Sequence, residues 1–147
     1  YSFASHFAPR MLRQAIQLYR ENFEPSDYLD KPYVSMGVPT CVADTDEEAQ
    51  YLATSAYQRV LALIRGQSLR LKAPIDSMEG LWSVPEKMSV DNFFGMAQIG
   101  SKKTVQAGLE SLLVKYDVDE FIFTCDIYDT QKRLHNFDLL MQIKNSI

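Results

Sequence analysis

Four stretches of the chain place apolar residues at helical spacing, and a run that reads as a β-strand precedes each of them. In "PRMLRQAIQLYRENF" one stripe holds Leu12, Ala15, Ile16, Tyr19 and Phe23. Arg10, Arg13, Gln14, Gln17 and Arg20 take the wet face, and Pro9 stands at a first-turn position. In "TDEEAQYLATSAYQRVLALIRG" the stripe is Ala49, Leu52, Ala53, Ala56, Tyr57, Val60, Leu61 and Ile64. Thr45 and Glu48 have capping-box spacing, and Gly66 is a natural stop. The third helix follows Ser101 as cap and turns Val105, Leu109, Leu112, Leu113 and Tyr116 to one side. The fourth starts at Asp129 or Thr130, with Leu134, Phe137, Leu140 and Met141 predicted to face inward.

The preceding strand-like runs are "YSFASHF", "YVSMGVPTCVAD", "MAQIG" and "DEFIFTCDIY". The order is therefore β-α repeated four times. Runs such as "FIFTC", apolar on both sides, belong to a parallel sheet flanked by helices. Residues 67 to 96 interrupt the repeat with Pro74, Gly80, Pro85 and Gly95; they read as an excursion before the third strand, with a short helix around Glu86 to Phe94. Residues 1–147 otherwise make a single domain.

Four βα units fit either an open flavodoxin-like sheet or half of an eight-unit barrel. A phosphate-binding open sheet usually carries a glycine-rich turn after its first strand, and here that turn is "SHFAPR", without glycine. The pattern thus favours an α/β fold of four βα units, the C-terminal half of a TIM (β/α)8 barrel with an insertion before the third strand.

Composition narrows the function classes. Hydrophobic residues are 46% and charged residues 23%, as in ordinary globular domains, which argues against disorder. The net charge is −4 and the 15 Lys and Arg are scattered, so nucleic acid is not an expected partner. No run of about 18 apolar residues exists to span a membrane. No basic segment leads into an apolar one at the start, so no signal peptide is read and the cytoplasm is the expected compartment. Cys41 and Cys125 each lie in an apolar run without a second Cys at CxxC spacing or a nearby His, as buried small hydrophobes do, with a disulfide or a nucleophile as the alternatives.

Three passages, "YSFASHFAP", "LYRENFEPSDYLDKPYVSMGVPTCVADTDEEAQ" and "IGSKKTVQAGLESLLVKYDVDEFIFTCDIYDTQKRLHNFDLL", resemble the C-terminal half of luciferase-like flavin-dependent monooxygenases. The resemblance covers nearly the whole chain. It implies a TIM-barrel parent of roughly twice this length that oxidises an organic small molecule with reduced FMN and dioxygen, or with the deazaflavin F420 in some relatives. It places Tyr1 at the fifth barrel strand, and makes the 67–96 excursion the family's insertion before strand seven. The third helix departs from the family by opening "GSKKTV", without the proline many members have there.

By the same resemblance the FMN phosphate and most catalytic groups belong to the missing N-terminal half of the barrel, so this chain alone is expected to bind no cofactor and to be inactive. The expected partners are that missing half, further copies of the chain joined through exposed strand edges into a homo-oligomer, and a flavin reductase. The start without Met then reads as a cut at the fifth strand.

In a barrel the functional side chains lie at the C-terminal ends of strands and in the loops that follow. That rule selects Ser5 and His6, Asp44 and Thr45, Gly100 and Ser101, and Asp126 and Tyr128, the last two either lining a pocket or capping the last helix. His6 is the weak catalytic candidate, as a donor near neutral pH, beside a plain reading in which it satisfies a backbone carbonyl. Ser5, His6 and Ser101 are the cofactor-binding candidates. Ser101 begins a helix whose N–H groups suit an anion, beside the plain reading of a cap. Asp44, Asp46, Glu47 and Glu48 read as dipole-stabilising carboxylates of a first turn, and no metal site is expected. Trp82 anchors or covers a loop, and His135 sits at a surface or interface. Two alternatives stand beside the enzyme: a stand-alone half-barrel interaction or structural protein without catalysis, and a protein with its own small-molecule site in the 67–96 excursion.

Overall fold

The computed structural model describes residues 2–4 and 11–146. In chain order the elements are β1 (Ser2–Ala4), α1 (Leu12–Glu21), β2 (Ser35–Ala43), α2 (Asp46–Ile64), α3 (Val84–Phe93), β3 (Gln98–Ser101), α4 (Lys102–Tyr116), β4 (Glu120–Thr124) and α5 (Thr130–Lys144). The expected βα alternation and the short helix inside the excursion are both present. Pro9 lies outside the described residues.

All strand pairs are parallel, and β2 is the hub. It pairs with β1 (Ser2 with Ser35), with β3 (Thr40 with Gln98) and with β4 (Ser35 with Glu120). Because β1 and β4 both pair with residues 35–37 of β2, they occupy its two opposite edges. The start of β4 is tied to β2 by Asp119, whose carboxylate accepts the Val34 N–H at 2.8 Å.

Alternation along the strands decides which helix covers which face. Val34, Met36, Val38 and Val42 of the β2 segment share a cluster with Leu12 and Ile16 of α1, Val105, Leu109 and Leu112 of α4, and Leu139, Leu140 and Ile143 of α5. Cys41 and Ala43, on the other parity, pack with Ala49, Leu52 and Ala53 of α2 and with Ile127. On β3 the same split recurs: Gln98 lies against Gly108 of α4, whereas Ile99 packs with the α2 cluster. The result is an open parallel sheet with α1, α4 and α5 on one face and α2 on the other.

Eight of the nine β2 residues are buried, with helices packed against both faces of the strand.

Local signals behave largely as read. Gly66 at φ 65° closes α2 with a Schellman pair, Gln67 N–H to Ala62 O at 2.8 Å and Gly66 N–H to Leu63 O at 3.1 Å. Thr45 accepts the Glu48 N–H at 3.1 Å, but Glu48 returns its carboxylate to the Asp44 N–H instead of completing the box. The full capping box belongs to α3, where Ser83 and Glu86 satisfy each other's backbone N–H, with Pro85 in the first turn.

One face differs from expectation. On α5 the buried set is Asn136, Leu139, Leu140 and Ile143, while Leu134, Phe137 and Met141 are 53%, 41% and 53% exposed. The polar residue sets the rotation: Asn136, fully buried, accepts the Val42 N–H at 2.8 Å through Oδ1 and so turns its own side of the helix to β2.

Candidate functional site at the C-terminal ends of the strands

The polar groups of the fold gather where β2 and β3 end and α2, α4 and α5 begin. Asp46, first residue of α2, reaches across to the start of α4. Its Oδ1 accepts the Ser101 N–H at 2.6 Å and its Oδ2 accepts the Thr104 hydroxyl at 3.1 Å. These hydrogen bonds hold its carboxyl below the ordinary range. Gly100 leaves room for this contact, since a Cβ there would stand 2.7 Å from Asp46 Oδ1 and 2.8 Å from Thr104 Cγ2.

Asp44, directly after β2, takes His135 Nε2 of α5 at 2.7 Å, and that hydrogen bond is the main cause of its lowered pKa. Glu48 accepts from Lys132 one turn earlier on α5. Asp126, after β4, pairs with Arg59 of α2 at 2.6 Å. Three carboxylates of the "DTDEE" run thus have specific partners 55 to 91 residues away, in addition to their effect on the α2 dipole.

Of the cofactor candidates, Ser5 and His6 lie outside the described residues. Ser101 is a helix cap, its side chain accepting from the Thr104 N–H, and the anion against its own backbone N–H is the Asp46 carboxylate. A phosphate at the α4 N-terminus would have to displace Asp46, so the described residues do not form a phosphate cradle there. Asp129, not Asp126, caps α5, and Tyr128 is 52% exposed. Among the described residues no group of three or more His, Cys, Asp or Glu is placed to hold a metal, and no helix is long and apolar enough to cross a membrane.

Cys41 and Cys125 are free. Burial pushes the Cys41 thiol up to about 12 and also raises Cys125. Cys41 is therefore expected to resist alkylation by iodoacetamide at pH 8 in the native protein and to react fully in denaturant, as read by intact mass. Native labelling at the denatured rate would contradict its burial.

Along all 147 residues the chain is 42% identical to the luciferase-like monooxygenase of Escherichia coli (strain K12). The similarity is to luciferase-like monooxygenases. Over 143 residues it is also 38% identical to the uncharacterized protein YvbT of Bacillus subtilis (strain 168). The chain covers 44% and 43% of these two relatives' own lengths. Among solved structures, apo-MsnO8 superposes with a TM-score of 0.76 at 23% identity, covering 99% of this chain and 44% of that one. Monooxygenase RslO1 from Streptomyces bottropensis gives 0.56 at 14% identity, covering 96% of this chain and 39% of that one. At those identities the structures speak for the fold alone. No protein-family model matches the chain.

The Asp44–His135, Glu48–Lys132 and Arg59–Asp126 pairs went unread in the sequence. Nothing local marks them, because each joins residues 67 to 91 positions apart. The Asp46 carboxylate, bonded to Ser101 and Thr104, is the group easiest to test. Its carboxyl is depressed in the fold, so the stability it contributes is present above the ordinary carboxylate value of 3.8 and is lost as pH falls below it. Asp46→Asn is expected to lower the melting temperature at pH 7 and to flatten its decline toward pH 3. An unchanged acid limb in differential scanning calorimetry would show that Asp46 plays no part in it.

Proposed function

We propose that this chain is the C-terminal portion of a flavin-dependent monooxygenase that oxidises an organic small molecule with dioxygen, its four βα units supplying strands five to eight of a (β/α)8 barrel. The observation that carries this reading is 42% identity along the entire chain to a luciferase-like monooxygenase of which it spans 44%. The rest of the parent would hold the flavin, since the α4 N-terminus is filled by Asp46. Reduced flavin supplies the oxygen chemistry when bound, and this portion contributes packing and the exclusion of water.

The exposed stripe Leu134, Phe137 and Met141 on α5, beside a groove of about 580 Å³ that includes Phe121 and Phe123, suits the packing of further βα units. Self-association through the same edge is the alternative use of that surface.

The test compares the 147-residue chain with the full-length parent by titration with FMN, following flavin fluorescence and substrate oxidation with a flavin reductase present. The expected result is saturable binding and turnover for the parent and neither for the chain. Stoichiometric binding with turnover by the chain would overturn its incompetence, and a parent blind to flavin would overturn the flavin reading.

A further inference from the structure

The excursion builds a cavity of about 410 Å³ between α2, α3 and β3 that the reading above does not use. Three aromatic residues, Tyr57, Trp82 and Phe94, share its lining with Gln50, Lys87 and Asp91. Tyr57 of α2 stands edge-on to Phe94 at 5.0 Å between ring centroids and tilted to Trp82 at 6.4 Å. Lys87 of α3 places Nζ 5.7 Å from the Trp82 ring centroid.

Two polar groups on this lining are unspent. Among the described residues neither the Tyr57 hydroxyl nor the Gln50 amide has a hydrogen-bond partner. Lys87 is held by Asp91 at 2.6 Å, an exposed i,i+4 pair of a kind that gives up its ammonium readily to a competing carboxylate. The frame is firm. Ile75 N–H donates to Thr54 at 2.9 Å, Gln58 donates to Ala73 O at 2.9 Å, and Arg65 binds both Leu81 O and Glu86, so the excursion is pinned to α2 on both sides of the cavity.

We propose that this cavity binds a planar aromatic carboxylate. Its ring system lies against Trp82, Tyr57 and Phe94. Its carboxylate takes Lys87, with the Tyr57 hydroxyl and Gln50 amide as further donors. The volume falls in the ordinary range of small-ligand pockets, and the lining combines aromatic faces with the polar groups of Gln50, Tyr57, Lys87 and Asp91. Two charged groups line the cavity: the Lys87 ammonium stands over the Trp82 ring and the Asp91 carboxylate is its exposed partner, so an incoming carboxylate takes the place of Asp91 on Lys87. The site needs no flavin, so its failure and that of the monooxygenase reading are separately visible.

Trp82 is the only tryptophan, so its indole N–H gives one cross-peak in a 15N-labelled sample. Titration with 2-naphthoate, in the absence of flavin, is expected to move that peak saturably. Lys87→Met and Tyr57→Phe should each raise the Kd about five- to tenfold, the loss of one hydrogen bond or ion pair. Phe94→Ala should abolish the shift, and Lys115→Met, on the far side of the sheet, should leave it unchanged. Lys87 and the Tyr57 hydroxyl are not core contacts, so those two variants stay folded even where Phe94→Ala does not. No saturable movement of the indole peak, or a Kd indifferent to both Lys87→Met and Tyr57→Phe, would overturn the proposal.

Discussion

Replacing Asn136 with alanine is expected to destabilise the fold by about 2 to 4 kcal/mol. The side chain is fully buried on α5, and its Oδ1 is the acceptor for the Val42 N–H at 2.8 Å. Truncation leaves that backbone donor buried without a partner, a penalty of about 1–3 kcal/mol, and adds a small void. The Asn136 Nδ2 has no partner among the described residues, so the native amide already bears part of a desolvation cost that alanine relieves. Backbone donors are almost never left orphaned, so the Val42 term outweighs that relief. Urea unfolding followed by far-UV circular dichroism measures the difference. A loss below about 0.5 kcal/mol would mean that Val42 finds another acceptor and that Asn136 does not orient α5.

Leu109→Ala is expected to cost about 3 to 5 kcal/mol, the range for a buried leucine whose cavity does not collapse. Leu109 is 1% exposed on the inner face of α4, within the cluster that joins α1, α4 and α5 to β2. Collapse is resisted because its neighbours belong to three helices and a central strand, none of which can shift alone. Val114 on the same helix is 88% exposed, and Val114→Ala should stay within about 0.5 kcal/mol of the native value. Equal effects at the two positions would show that the assigned inner face of α4 is wrong.

How far the sequence could be read differs between α2 and α5. On α2 the small-residue run Ala49, Ala53 and Ala56, the Thr45 cap and the Gly66 stop name both the element and its buried side, because every signal is local. On α5 the apolar residues point to Leu134, Phe137, Leu140 and Met141 as the core face; Leu140 is buried, but the other three are left exposed. The deciding contact there is a polar one, between Asn136 and a strand 94 residues earlier, and periodicity of apolar residues does not register it. Ser101 shows the same limit at the site. Its position at a helix start and its role as a cap are legible from the chain, but the occupant of its N–H is Asp46, which only folding brings there.

By itself, the amino-acid sequence determined the order of strands and helices, most of their caps and the resemblance to luciferase-like monooxygenases, since these rest on side-chain spacing and on motifs read within one stretch of chain. Only the tertiary structure decided that β4 lies beside β2, that α2 covers the face opposite α1, α4 and α5, and that the carboxylates after β2 are matched to Ser101, Lys132 and His135. The reason is that four parallel strands leave more than one way to bury both sides of the middle strand. The choice is made by contacts such as Asn136 to Val42 and Asp119 to Val34, between residues that lie 85 positions or more apart.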